Sequence, residues 1–255
     1  MSEVLVLIPT FNHPEFTDKL LSSLEKCDLS WARIEIHDDG SDEQWMPTGR
    51  AFVPVRRWTE NVGYVNHINR VVAEHWKPDV HLLLLNYDTD FSKTPKDWLP
   101  RLVTALEARK EWDHAGAVGP LLTYGPRPQV VCMRDGEFVL SEPHVPGQAC
   151  YPTTALSGAC VLYHKDFVKD RLDRCGWFLD PNFNRVSCDD WDLGFWGRSQ
   201  GWTFWVNSEL AVIHDDRESD RAGSEKGGAR HLMEKWGNSA AHRQTMMHYI
   251  WEPKA

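Results

Sequence analysis

The chain has 255 residues, 42% of them hydrophobic and 25% charged, enough for one soluble α/β domain with its own core and too few for two. Its net charge of −9 disfavours nonspecific nucleic-acid binding, which needs Lys and Arg facing phosphates, yet leaves room for a phosphate-bearing substrate neutralised by a divalent metal. The six cysteines form no CxxC pair, so no zinc knuckle is expected; no apolar run approaches the roughly 20 residues of a membrane span, and no leader is visible, so a cytoplasmic protein without a transmembrane segment is expected.

Val4 to Ile8 is a continuous apolar run closed by Pro9 and Thr10, as suits a parallel strand buried on both faces. Asn12, as a cap, and Pro14, near the first helical position, open a helix with Phe16, Leu20, Leu21 and Leu24 on one stripe. Ile34 and Ile36 mark a second strand ending in Asp38-Asp39-Gly40-Ser41, and Val53 and Val55 a short third. A helix over Tyr64 to Trp76 and a strand over Val80 to Leu85 follow, the latter ending in Asn86-Tyr87-Asp88-Thr89-Asp90. This βαβ alternation predicts a mostly parallel sheet. Polar clusters at the carboxyl ends of three strands mark the edge where open α/β sheets bind ligands.

Further on, the pattern predicts strands near Ala115 to Val118 and Ser157 to Leu162, and a hairpin over Gln129 to Leu140 around Asp135-Gly136. Helices are expected over Lys165 to Arg174 and Trp191 to Ser199, and two short strands over Thr203 to Val206 and Ala211 to Ile213. Arg217 to Gly228, rich in Gly, Ser and charge, reads as a mobile loop and a candidate lid, with Gly223, Gly227 and Gly228 as hinges. His231 to Trp251 reads as a helix interrupted at Gly237. The expected division is one domain over 1–215, with 216–255 a lid loop and helical extension of it.

Five constellations carry chemistry, and each also has a plainer reading. Asp88 and Asp90, just past a buried strand, suit oxygen ligation of Mg²⁺ or Mn²⁺ bridging two phosphates; such a tripeptide is also a common solvated loop. Asp39 suits recognition of a base or ribose, or an Asp-Gly turn. Gly63, in Glu60-Asn61-Val62-Gly63-Tyr64, permits close backbone approach before a helix N-terminus that favours anions, or is an ordinary loop glycine. Asp189, Asp190 and Asp192 around Trp191 can hold a general base and a ring for sugar stacking, or be acids favoured by the helix dipole. His214 ends an apolar run as a ligand or a structural histidine.

The order of these segments resembles the family 2 glycosyltransferases, a group with the GT-A α/β fold. The matching stretches are Leu7-Ile8-Pro9-Thr10-Phe11-Asn12, Asp38 to Ser41, Glu60 to Tyr64, Leu84 to Asp90, Ser157-Gly158-Ala159-Cys160, Asp189 to Leu193 and Val212-Ile213-His214. The resemblance implies an inverting transfer from a nucleotide-diphosphate sugar, UDP-sugar favoured, to a hydroxyl acceptor on a glycan, protein or other molecule. It implies a nucleotide pocket of Pro9, Thr10, Phe11, Asn12, Asp39, Asn61, Gly63, Asp88 and Thr89. It further implies a metal (Mn²⁺ or Mg²⁺) on Asp90 and His214 with Asp88 nearby, Asp190 as general base, and Gly158, Asp189 and Trp191 on the sugar and acceptor side. Asp189 stands where the family usually has Glu, Tyr87 replaces a common Pro, and Trp196 a common Arg. A nucleotide-sugar binder without catalysis is one alternative. A nucleotidyltransferase is another, although no Gly or Lys follows the first strand in Pro9-Thr10-Phe11-Asn12-His13. A dinucleotide oxidoreductase lacks its GxGxxG.

Overall fold

The computed structural model describes residues 3–47, 53–124, 129, 131–134, 137–139, 149–185, 187–215 and 225–237. β1 (Val4–Thr10), α1 (Pro14–Leu24), β2 (Arg33–Asp38), β3 (Val55–Arg57), α2 (Tyr64–His75) and β4 (His81–Leu85) form the first half. β1 pairs in parallel with both β2 and β4, and β2 with β3. Every residue of β1 and β4 is buried, because alternate side chains enter two different cores. Leu5, Leu7, Leu82 and Leu84 meet Val65, Ile68 and Val72 of α2; Val4, Val6, Ile8, Leu83 and Leu85 meet Leu20, Leu21 and Leu24 of α1. Two helical layers around one sheet explain the unbroken apolar runs.

The second half contains β5 (Thr89–Asp90), α3 (Trp98–Asp113), β6 (Ala115–Leu122), the β7–β8 hairpin (Cys132–Arg134 and Glu137–Val139), β9 (Cys150–Thr153), β10 (Cys160–Tyr163), α4 (Lys165–Cys175), α5 (Asp189–Ser199), β11 (Thr203–His214) and α6 (Glu225–Trp236). The sheet order is β3-β2-β1-β4-β10-β6-β11-β5, with β9 also on β11. β10 runs antiparallel between β4 and β6, so the predicted mostly parallel sheet is parallel in its first half and mixed in its second.

Several expectations change. Asn12 does not cap α1: His13 is the cap residue, left-handed at φ 51° and without a side-chain cap bond. The two strands expected over 203–213 are one strand, with a register irregularity between Asn207 and Ala211 where it leaves β9. The strand expected from Ser157 begins only at Cys160. α3, which packs Trp98, Leu99, Leu102 and Leu106 into the α1-side core, and β9 had no counterpart among the expectations. Gly227 and Gly228 are not hinges but lie inside α6; the rest of the expected lid, residues 217–224, and everything past Gly237 lie outside the described residues. Among the described residues no helix is long and apolar enough to cross a membrane.

Candidate active site

The carboxyl ends of β1 and β2 are laced together before any ligand arrives. Asp38 Oδ1 accepts from the Ser41 amide at 3.0 Å and its hydroxyl at 2.5 Å, and Ser41 Oγ accepts the Asn12 amide at 2.7 Å. Asp38 thus closes the turn on the residue three positions ahead. Gly40 sits in it at φ 74°, and a Cβ there would come within 2.5 Å of the Glu60 carbonyl carbon. Glycine therefore lets the 60–63 loop close over β2. Asn12 pairs with Asp42 through both its amide nitrogen and oxygen, at 3.2 and 3.0 Å.

Asp39 is 4% exposed. Its two oxygens accept the amides of Val62, at 3.1 Å, and Gly63, at 3.0 Å, while His67 Nδ1 lies 3.2 Å from Oδ1. His67 Nε2 faces the His37 carbonyl at 3.1 Å and must donate, since a carbonyl only accepts. Asp39 thus shapes the loop that leads into α2, whose cap residue Gly63 has no side chain and whose first turn holds no acid; Asn184 Oδ1 accepts the Asn66 amide there at 3.4 Å.

A cavity of about 460 Å³ opens along this edge, and it collects most of the residues singled out from sequence: Pro9, Thr10, Phe11, Asp39, Asn61, Gly63, Asp88, Gly158, Asp189 and Asp190. Phe11 is 36% exposed, presenting an open ring at the wall. Asn12 lies instead in an adjoining cavity of about 380 Å³ that shares Thr10. Thr89 is buried and donates to the Asn86 carbonyl at 2.7 Å, so it braces the strand end and does not face the cavity. Asn86, Tyr64 and Arg185 also line the wall and were not singled out. Asn86 had a readable signal, two residues before Asp88 at the end of an apolar run; Arg185 had none.

The three expected metal ligands are not assembled as a trio. β5 pairs antiparallel with the end of β11, Thr89 opposite His214 and Asp90 opposite Ile213, which brings His214 Nε2 to 3.4 Å from Asp88 Oδ2. The other ring nitrogen, Nδ1, lies 2.9 Å from the Tyr124 carbonyl, so it carries the proton, and Nε2 turns toward a carboxylate. Two electron-rich atoms facing each other call for a cation between them, a proton or a metal ion. Asp88 Oδ1 is buried with no hydrogen-bond partner among the described residues. Asp90 is absent from the cavity wall: its carboxylate takes the Ser92 amide at 2.7 Å and lies 3.5 Å from Lys19 Nζ on α1.

The opposite wall is the loop into α5. Asn184 donates to the Val62 carbonyl and Arg185 to the Asn61 carbonyl, each at 2.8 Å, buckling the two walls together. Arg185 and Cys188 hold positive φ, 62° and 77°, a strained backbone that places Asp189 and Asp190 at the cavity. Trp191 does not reach the wall: it is 8% exposed and packs on Phe195 at 6.0 Å. Arg185 is the only Lys or Arg among the described lining residues, against the carboxylates of Asp39, Asp88, Asp189 and Asp190. A polyanionic ligand here gains from a bound cation.

Two further His–Glu groups lie away from the cavity, Glu35–His37–His75 and His81–Glu107–His164. In the second, His81 and His164 each accept a backbone amide at Nδ1, from Lys165 and Asp166 at 3.1 Å. Their protons therefore sit on Nε2 and face Glu107, with His81 hydrogen-bonded at 2.9 Å and His164 3.6 Å away, so neither ring offers a lone pair to a metal there. In the first, Arg33 and Arg56 stand 3.2 and 3.6 Å from Glu35, which opposes a dication. Burial lowers the His37 pKa to about 4, against the opposing pull of Glu35.

No family model matches the chain, and no curated protein matches it in sequence. Solved structures do match in shape. GalNAc-T7 with UDP, GalNAc and Mn²⁺ superposes with a TM-score of 0.67 at 15% identity over 92% of this chain. The Pyrobaculum calidifontis mannosyltransferase PcManGT with GDP-Man and Mn²⁺ gives 0.60 at 15% over 99%, and S. aureus TarS 1-349 with UDP-GlcNAc gives 0.59 at 16% over 92%. The chain spans 48% of the first of these and 65% of each of the other two. These likenesses, with the sheet order above, show that the chain has the GT-A fold.

Proposed function

We propose that the chain is a glycosyltransferase of the family 2 type that moves a sugar from a nucleotide-diphosphate donor, UDP-sugar favoured, to a hydroxyl acceptor with inversion, using Mn²⁺ or Mg²⁺. The observation that carries this reading is the pairing of His214 with Asp88, which lines one cavity together with Asp189 and Asp190. The UDP, GDP-Man and Mn²⁺ in the matching structures support it.

The donor set fits a divalent ion: a carboxylate with a buried oxygen that has no hydrogen-bond partner among the described residues, beside an imidazole whose Nδ1 carries the proton. Asp88 and His214 would hold the ion, which supplies positive charge to the departing diphosphate. Phe11 offers a face for the base, Thr10 and Asp39 line the same wall, and Asn61 and Gly63 supply backbone at the α2 N-terminus. Gly158 leaves space over β10 for the sugar. Asp190 takes the proton of the attacking hydroxyl, and Asp189 holds acceptor hydroxyls. Trp191 acts from behind, as packing under α5.

The test is thermal stabilisation by UDP, GDP and their sugars with and without Mn²⁺, followed by donor hydrolysis with and without EDTA. Binding to the folded state raises apparent stability by mass action. Metal-dependent stabilisation and metal-dependent sugar release are expected. Stabilisation without any turnover would leave a nucleotide-sugar binder; no response to any nucleotide diphosphate overturns the proposal.

A further inference from the structure

Asp192 follows Asp190 by two residues in the first turn of α5. At about 100° per residue, two positions apart lie on nearly opposite sides of a helix, so one faces the cavity while the other faces inward. Asp192 is 0% exposed, and a carboxylate that deep needs partners. Oδ1 accepts Trp236 Nε1 at 2.7 Å and lies 2.7 Å from Lys235 Nζ, both on α6. Oδ2 lies 3.5 Å from Arg171 on α4. Lys235 also reaches Asp180 Oδ2 at 2.6 Å, in the turn before the cavity loop. Two separate helices, α4 and α6, thus converge on one side chain in the turn that carries the cavity acids, and Lys235 ties in Asp180 as well.

α6 also touches the cavity loop directly. A side chain at Gly228 would run into the Ser187 carbonyl, and Ser187 lines the cavity. The His231 ring packs on Phe183 at 4.7 Å, and Leu232 is fully buried in the core. Buried ion pairs contribute little stability relative to apolar groups of similar size, so stability alone is a weak reason for this one. Fixing geometry is a stronger one, since a displacement of about 1 Å at a reacting group costs on the order of 100-fold in rate.

We propose that Asp192, gripped by Lys235 and Trp236 of α6 and by Arg171 of α4, is a positioning residue that sets the first turn of α5 and thereby Asp190, making the C-terminal helix a working part of the site. This rests on the reading of Asp190 as the base. The experiment uses the full chain and donor hydrolysis by water, with UDP·Mn²⁺ affinity measured by calorimetry. Lys235→Met keeps the stem and removes the charge; Trp236→Phe removes only the indole donor; Lys235→Arg restores a cation. Lys235→Met is expected to lower kcat by about 10- to 100-fold, with donor KM and UDP affinity within about twofold, and Lys235→Arg to recover most of the loss. Trp236→Phe shows the same split at smaller size, and serves if Lys235→Met does not fold. Wild-type kcat in both variants overturns the positioning role, as does a parallel fall in kcat and UDP affinity, which marks general disruption. If Asp190→Asn itself leaves hydrolysis intact, the base assignment falls, and the positioning role with it.

Discussion

The two walls of the cavity are built on different physics. On the β1–β2 side, Asp38 and Asp39 serve loop architecture: their oxygens collect the amides of Ser41, Val62 and Gly63, and the wall is shaped backbone. On the α5 side the architecture falls to acids that face inward, Asp192 and Asp180 with Lys235, while Asp189 and Asp190 line the cavity. A wall of fixed backbone suits recognition of a fixed shape such as a base; a wall with carboxylates on the cavity suits proton transfer. Binding and chemistry should therefore separate when each wall is altered alone.

The largest effect tests that separation from the α5 side. Asp190→Asn is nearly isosteric and should lower turnover by about 10²–10⁴-fold, the usual contribution of a positioned general base, with UDP and Mn²⁺ affinity unchanged. Asp189→Asn should act mainly on acceptor KM. If Asp189→Asn is the dead variant, the base moves one residue back; if both stay active, the α5 wall has no proton-transfer role.

Acid should weaken the recognition side through the group behind it. His37, on β2 under Asp38, faces Glu35 on its own strand and His67 and His75 on α2. Burial holds its pKa near 4 against 6.5 when unfolded. The unfolded chain therefore binds this proton first, and the stability conferred by a neutral His37 is present above pH 6.5 and lost as pH falls toward 4. At 1.36 kcal/mol per pH unit, this is up to about 3 kcal/mol. Burial also lowers the pKa of His81, at the start of β4, and of His164, just before α4, adding to the same slope. Urea unfolding at pH 7, 5.5 and 4 measures the total. His37→Gln should flatten part of it, and an unchanged slope would show that His37 does not contribute.

The sequence was readable where a strand is buried on both faces and its polar end lies at the site: β1, β2 and β4 with Thr10, Asp39 and Asp88. It was harder to read where partners are distant. Nothing near Thr89 announces its pairing with His214, and β11 looked like two strands because its register shifts after Asn207. α3 keeps Leu99, Leu102 and Leu106 at helical spacing, but Trp112 stands exposed on its outer face and blurs the stripe. Within the acidic segment the string alone does not show which side chains face the cavity. Asp88-Thr89-Asp90 matches a familiar string, but Asn86 and Asp88 line the cavity and Asp90 does not.

On the recognition wall, Asp39→Ala should weaken UDP binding by about 1–3 kcal/mol, the range for a hydrogen bond to a charged group. Because Asp39 also holds the Val62 and Gly63 amides, the loss should extend to GDP and other nucleotides if the loop collapses, and stay specific to UDP if only the base contact is lost. Calorimetry with both nucleotides separates the two. Equal affinity to wild type for both would remove Asp39 from the recognition wall.

The smallest effect expected is the most discriminating for the metal. Asp88 and Asp90 are acids on either side of Thr89 in one short segment, but their surroundings differ. Asp88 has a buried oxygen without a hydrogen-bond partner among the described residues and the His214 ring 3.4 Å away. Asp90 takes the Ser92 amide and lies beside Lys19, whose side chain is 54% exposed. A pair that open contributes about 0–1 kcal/mol and the Ser92 amide bond about 0.5–1.5 kcal/mol, so Asp90→Ala should lower stability by no more than about 2 kcal/mol. Its Mn²⁺-dependent gain in UDP affinity should match wild type. Asp88→Ala should bind UDP equally with Mn²⁺ or with EDTA. If Asp90→Ala also loses the metal-dependent gain, the Lys19 contact gives way when metal binds, and Asp90 joins Asp88 and His214 in holding it.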